Sequence, residues 1–395
     1  MSMQVFSRVS ALLATLALAA GCASNDPTPP TPLTDLPTAG YEVREVWTHS
    51  LSSLGEELRF GLRPSHADGR IFVADHKGHV VALDAQTGSV QWEFDSYEFA
   101  WWGPSEYMPF SGGPSVGEGI VAVGTSDGRV LALDAGSGEQ RWQAEVTGEV
   151  LAPPAIGAGL VVVRLANGYL VALDAASGEV RWETGREIPS LTLRGLSTPV
   201  MARDKVIVGF DNGRVVAVRT DDGSTVWESQ VSVPGGRTVI SELVDVDAEV
   251  AVFRDDVYVT GYNGALVNLM LQTGDELWNE ELSSLLSPAV DFSDVFIVDE
   301  EGKVRGFDRL SGRDLWTQEG LLYRGATAPV IFQDKVVVGD EEGYLHFLNR
   351  ATGEIEYRIE HDGEPLQQRG VIAGELLVVQ SADGDVAAYR LQSRS

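Results

Sequence analysis

Short apolar runs separated by glycine, rather than long amphipathic stripes, set the rhythm of this chain. RIFVAD at residues 70–75 and HVVALD at 79–84 each read as a strand, with Gly78 in the tight turn between them. AQTGS makes the next turn, where Gly88 supplies backbone freedom, and VQWEF at 90–94 is a third strand. A less regular apolar piece upstream supplies a fourth, as TAPVIF does at 327–332. No segment sustains a helical period, so helices are expected to be few.

The same unit then returns. GHVVALDAQTGSVQW ends at Trp92, GRVLALDAGSGEQRW at Trp142 and GYLVALDAASGEVRW at Trp182. A glycine stands fourteen residues before the aromatic in Gly78–Trp92, Gly128–Trp142, Gly168–Trp182, Gly213–Trp227, Gly264–Trp278 and Gly302–Trp316, and again in Gly343–Tyr357 with tyrosine substituted. The distance between units varies from 38 to 51 residues. A constant interior with variable connections marks a stacked supersecondary unit, and four strands every ~40–45 residues match a propeller blade.

GDVAAYRLQ at 384–392 starts an eighth unit without its Trp, whereas VREVWTHS at 43–50 has Trp47 in the expected setting. The N-terminal strand is therefore predicted to complete the last blade and remove a free sheet edge. The expected fold is all-β: an eight-bladed β-propeller of four-stranded antiparallel blades over residues 41–395. Each repeat Trp is assigned to packing between blades, burying roughly 150–250 Å². Asp84, Asp134, Asp174 and Asp308 read as turn-stabilising side chains, not catalytic acids.

Charge narrows the partners. The 395 residues include 29 basic and 58 acidic side chains, a net −29 spread along the chain. Phosphate binding needs a basic footprint, so nucleic acid is not expected; basic protein surfaces, or solubility alone, suit this balance. The single cysteine, Cys22, excludes an internal disulfide.

Its position matters more. Residues 1–21 have Arg8 as their only charged side chain, and ALLATLALAA runs from Ala11 to Ala20. That run is too short to span a bilayer, which takes about 20 residues, and fits a signal-peptide core. It ends in Ala19-Ala20-Gly21-Cys22. This resembles a bacterial lipobox, although the usual leucine three places before the cysteine is Ala19, with Leu18 one place earlier. The resemblance implies removal of 1–21 and lipidation of Cys22. Ala23 and Ser24 follow without an acidic residue, which by the same resemblance implies the outer membrane, with the body in the periplasm. Residues 23–40 hold five prolines and read as a semi-extended leash. Its eighteen residues could reach on the order of 50 Å.

The repeat ALDA-x-[TS]-G-x₃-W resembles that of the pyrroloquinoline-quinone enzyme superfamily, whose members form eight-bladed propellers. Within it, the chain from about residue 41 onward resembles the BamB family of lipoproteins of the outer-membrane β-barrel assembly machinery. The Cys22 lipobox, PSLTLRGLSTPV at 189–200, VDVD at 244–247 and VVVGDEEGYLHFLN at 336–349 carry the likeness. It implies a protein with no cofactor and no chemistry of its own. Such a protein docks onto the periplasmic POTRA domains of BamA, the barrel-forming subunit, and helps nascent barrel proteins reach it. By this resemblance the docking segments correspond to Leu191, Leu193, Arg194, Asp245 and Asp247; Thr192 stands where relatives often have Ser.

Repeat lengths point to the same region. The longest Trp-to-Trp spacings are 92→142, 50 residues, and 227→278, 51 residues. The extra residues, DSYEFAWWGPSEYMPF at 95–110 and SVPGGRTVISELVDVD at 232–247, fall between the fourth strand of one blade and the first of the next. Those connections share a face with the second-to-third-strand turns, opposite the DAxTG turns. Long loops on a rigid scaffold are carriers of function. Arg194 and the Asp245/Asp247 pair open the first strands of the fourth and fifth blades and are expected to be neighbours. Leu191 and Leu193 would anchor a partner, Arg194 give direction, and the two aspartates offer a counter-charge to a basic surface. A local Arg–Asp salt bridge between adjacent loops is the alternative. Trp101 and Trp102, beside Phe99, Tyr107 and Phe110, read either as a binding surface or as a loop folded over its own blade.

Other functions find less support. A quinoprotein dehydrogenase on this fold needs calcium ligands, a catalytic carboxylate and often adjacent cysteines, whereas Cys22 is assigned to the anchor. The histidines, His49, His66, His76, His79, His346 and His361, are scattered. His76 and His79 form an HxxH across a strand turn with no third ligand, and three protein ligands are usual for catalytic zinc. No HExxH, P-loop or GxSxG motif occurs. No catalytic or metal residue is therefore assigned. A periplasmic holdase that adds unfolded barrel strands to an exposed sheet edge is a third reading.

Overall fold

The computed structural model describes residues 28–51, 61–97, 107–185, 197–232 and 244–394. Among these residues every regular element is a β-strand, and the strands form eight antiparallel four-stranded sheets. Blade 1 is β2 (Ser65–Ala67), β3 (Arg70–Ala74), β4 (His79–Asp84) and β5 (Val90–Asp95), as the repeat predicts. Blades 2 to 7 repeat this order. Blade 8 is β30 (Val371–Ala373), β31 (Leu376–Gln380) and β32 (Asp385–Ser393), completed by β1 (Tyr41–Ser50).

The closing strand is a true fourth strand. In each blade the residue just before the aromatic is skipped in the ladder: Ala82 pairs with Trp92 and Leu83 with Val90, passing over Gln91. β1 does the same, passing over Val46 between Glu45 and Trp47. The bulge twists the outer strand and turns its aromatic toward the next blade.

The core lies between blades rather than within them. Inner strands are buried on both faces, so they read as continuous apolar runs. In β11 (Leu160–Arg164) of blade 3, Val161 and Val163 join the cluster shared with blade 2, and Val162 the one shared with blade 4. Eight such clusters occupy the eight interfaces.

A tryptophan pins each of seven interfaces. Trp142 Nε1–H donates to the Ala175 carbonyl at 2.9 Å, in the third-to-fourth-strand turn of the next blade. Its ring covers Gly178, at φ +75°, where a Cβ would stand 2.7 Å from the indole. Asp174 Oδ1 shapes that turn by accepting from the Ala176 and Ser177 amides. The bond recurs at 2.7–3.0 Å from Trp47 to Ala85, Trp92 to Ala135, Trp182 to Thr220, Trp227 to Leu271, Trp278 to Arg309 and Trp316 to Arg350. Tyr357 faces the split blade, where β32 and β1 come from distant parts of the chain and no such turn joins them. It packs instead on Tyr41, with centroids 5.7 Å apart.

The channel enclosed by the first strands is crossed by charge. Arg63, Glu249 and Arg369 each stand two residues before the first strand of their blade: β2, β18 (Ala251–Phe253) and β30. Blades 1 and 5 are opposite in a ring of eight, yet Arg63 Nη1 lies 2.6 Å from Glu249 Oε2, and Arg369 Nη2 2.9 Å from the same oxygen. Cavities of about 580 and 390 Å³ flank this bridge, and Glu249 and Arg369 line both. Burial pushes the Glu249 carboxyl up, but Arg63 and Arg369 outweigh it and hold it down at about 2.

These contacts carry measurable stability. Trp142→Ala should lower stability by about 3–5 kcal/mol, read from the urea midpoint, and Gly178→Ala by about 2 kcal/mol. Tyr357→Trp should gain nothing, because no turn receives it. For Glu249 the folded pKa lies below its ordinary 4.5, so its stabilisation is complete above that value and fades as pH falls toward 2. Glu249→Gln should cost about 3 kcal/mol near neutrality, and its melting temperature should converge with the parent's as both are acidified.

Candidate partner-binding rim

Two kinds of segment share one rim: the second-to-third-strand turns and the connections between blades. The connection entering blade 5 is wedged against blade 4. Val246 is fully buried, and its N–H donates to the Phe210 carbonyl at 3.3 Å. The Tyr262 N–H donates to the Asp245 carbonyl at 2.8 Å. Gly209 permits this approach, since a Cβ there would stand 2.1 Å from the Val246 carbonyl oxygen. Ser197 Oγ accepts from the Gly209 N–H at 3.0 Å and donates to the Ala248 carbonyl at 3.2 Å, tying the two connections together.

This wedge sets Asp245 and Asp247 at different depths. Asp245 is only 2% exposed. The side chain of Asp247 is more accessible, at 11%. Asp211, in the second-to-third-strand turn of blade 4, completes a group whose carboxylate oxygens lie within 4.8 Å of one another. Arg164, at the end of β11, supplies the cation. It pairs with Asp211, approaches Asp247 at 3.8 Å, and lies over the Phe210 ring at 5.3 Å from the centroid. Burial, followed by the charges of Asp247 and Asp211, pushes the Asp245 carboxyl far above the usual range, with Arg164 opposing. Raised so far, Asp245 carries no charge near neutrality, and the Arg164 guanidinium faces Asp211 and Asp247.

Arg164 and Asp211 escaped the sequence reading. Their signal was a charge ending the apolar run LVVVR and another directly after KVIVGF, where charge is costly unless paired. Leu191, Leu193 and Arg194 lie outside the described residues, as do Cys22, Phe99, Trp101 and Trp102. The described part of the aromatic loop divides. Phe110 is fully buried, whereas Tyr107 is exposed, with its ring tilted against Tyr97 at 4.8 Å and edge-on to His79 at 5.7 Å. His79 is committed to its own turn, with Nδ1 2.8 Å from Asp75 Oδ2.

Comparison with known proteins agrees with this architecture. A family model described as "Outer membrane protein assembly factor BamB" matches residues 44–101, 98–318 and 300–394. A protein of that description from Kangiella koreensis is 37% identical over 377 residues, covering 95% of this chain and 94% of its own. The crystal structure of BamB from Moraxella catarrhalis superposes with a TM-score of 0.78 at 28% identity, over 88% of this chain and all of that one. A quinohemoprotein alcohol dehydrogenase from Comamonas testosteroni shares the fold alone, with a TM-score of 0.67 at 14% identity over 88% of this chain and 76% of that one. The family match spans nearly the whole propeller and the relative matches over 94% of its own length, so the chain belongs to the BamB family of outer-membrane protein assembly factors.

Proposed function

We propose that this protein is a non-catalytic scaffold, lipid-anchored through Cys22 to the outer membrane and facing the periplasm. It docks through its loop-bearing rim onto the POTRA domains of a BamA-like subunit and assists insertion of nascent barrel proteins. The observation that carries the reading is the wedge at blades 4 and 5, where the VDVD segment meets the connection that holds Leu191, Leu193 and Arg194.

The depth of each side chain divides the labour. Asp245 is buried and holds the connection in place. Asp247 is nearer the surface and, with Arg194, forms the polar contact, while Leu191 and Leu193 supply apolar anchors. A rigid rim suits this task, because a partner then binds without ordering a loop first. A chain of net charge −29 suits a basic partner surface, and complementary charge adds specificity and speed to docking.

Arg194→Glu and Asp247→Lys should each reduce recovery of the barrel-forming subunit from detergent-solubilised outer membranes at least about tenfold, about 1.4 kcal/mol. The circular dichroism spectrum should not change in either variant; the melting temperature should hold in Arg194→Glu and fall in Asp247→Lys, which sets a second cation beside the buried Arg164. Undiminished recovery in both variants would refute the rim as the docking surface.

A further inference from the structure

The proline-rich segment before the propeller is not free along its whole length. The Thr31 N–H donates to the Leu322 carbonyl at 2.9 Å. Arg324 Nη1 donates to the Thr31 carbonyl at 3.0 Å, Arg358 Nη1 to the Thr34 carbonyl at 3.2 Å, and the Arg394 N–H to the Gly40 carbonyl at 3.0 Å. The bonded carbonyls are separated by multiples of three residues. That is the period of a polyproline II helix, which turns every third carbonyl to the same side. Pro32 and Pro37 have no N–H to offer, which leaves carbonyls in slight excess, and the two guanidiniums supply donors to them. A cavity of about 670 Å³ lies beneath it, lined by Leu36, Pro37, Ile355 and Arg358 among others.

The receiving side is built from buried, mutually fixed groups. Arg324 is 2% exposed in its side chain, and its Nε lies 2.8 Å from Asp340 Oδ2. His346 Nδ1 accepts from Arg358 Nε–H at 3.1 Å, so its proton sits on Nε2, which donates to Asp340 Oδ2 at 2.8 Å. One carboxylate therefore aims both arginines, directly or through the imidazole, at carbonyls three residues apart.

We propose that Thr31–Gly40 is a strap that fixes where the tether leaves the propeller, and so which rim faces the membrane. Leu321–Arg324 belong to the connection between β25 (Asp314–Gln318) of blade 6 and β26 (Val330–Phe332) of blade 7. That connection is on the rim of the VDVD segment. With Thr31 fixed, eight residues remain from Ala23 to Pro30, so the free tether is about 25 Å instead of ~50 Å. The loop-bearing rim is thereby turned toward the bilayer, and the DAxTG rim away from it. The proposal rests on the reading of Cys22 as the lipid-bearing residue.

The test uses the full lipidated protein in phosphatidylethanolamine–phosphatidylglycerol vesicles with an acceptor dye on the headgroup. A donor dye is placed on the loop-bearing rim through Asp383→Cys, or on the opposite rim through Thr352→Cys. Transfer should be at least about twofold higher from position 383. It should become nearly equal for the two positions when Arg358→Gln is added, or when Thr31–Thr38 is replaced by a Gly/Ser stretch of the same length that leaves the propeller untouched. Equal transfer from vesicle-bound protein without these changes, or no response to either change, would overturn the strap while leaving the anchor intact. Protein that washes off the vesicles without transfer from either position would overturn the anchor and the strap together.

Discussion

Everything in this molecule depends on sheets that cannot bury their faces alone. Each inner strand points alternate side chains into two different interfaces, so no blade owns a core. A row of such units would leave two large apolar faces in water. Closing the row into a ring removes both, and pairing β1 with β32 closes it with backbone hydrogen bonds. The same step explains the one break in the tryptophan series. A tryptophan is useful where the next blade offers a turn carbonyl and a glycine beneath the ring. The split blade has no such turn, and Tyr357 packs on Tyr41 of the closing strand instead.

A closed ring is stiff, and stiffness makes its edges usable. The connection entering blade 5 does not hang from the scaffold. Its residue Val246, close before the first strand of blade 5, is part of the core between blades 4 and 5. Asp245 is held by the same wedge, so a change at that position disturbs placement before it disturbs contact. Asp247, one residue beyond the buried valine, is nearer solvent and inherits a fixed position without making the core itself. Arg164 limits the cost of gathering three carboxyls by pairing one and approaching another.

Blades, tryptophan slots and the closing strand were legible because repetition sets the period, and a constant interior reveals itself against variable connections. The depth of Asp245 was not. In VDVD the alternation puts valine inside and aspartate outside, and Val246 obeys. The outer side of Asp245 is nevertheless covered, by Arg164 and Asp211 from the two preceding blades. The Arg63–Glu249–Arg369 bridge was hidden for a related reason: its first two residues are 186 positions apart and meet only across a completed ring. The strap was half legible. Five prolines announced an extended chain. Its docking depends on backbone carbonyls, which every residue has, so no side-chain pattern signals it.

The channel shows why a shared fold leaves function open. The dehydrogenase with a similar propeller shares 14% identity, a level at which the likeness concerns architecture alone. What a propeller does at its axis is decided by a few residues that enter the first strands. Here three of them are charged, and they pair across the opening. Glu249 is held ionised by two guanidiniums, so the bridge persists throughout the neutral range. At that level the axis serves as a brace between opposite blades. With the axis braced and the DAxTG rim built from near-identical short turns, the irregular rim is where the chain departs most from its own repeat. The wedged aspartates and the strap's first anchor fall on that one rim, so a partner docked there as proposed would meet segments that the repeat alone does not specify.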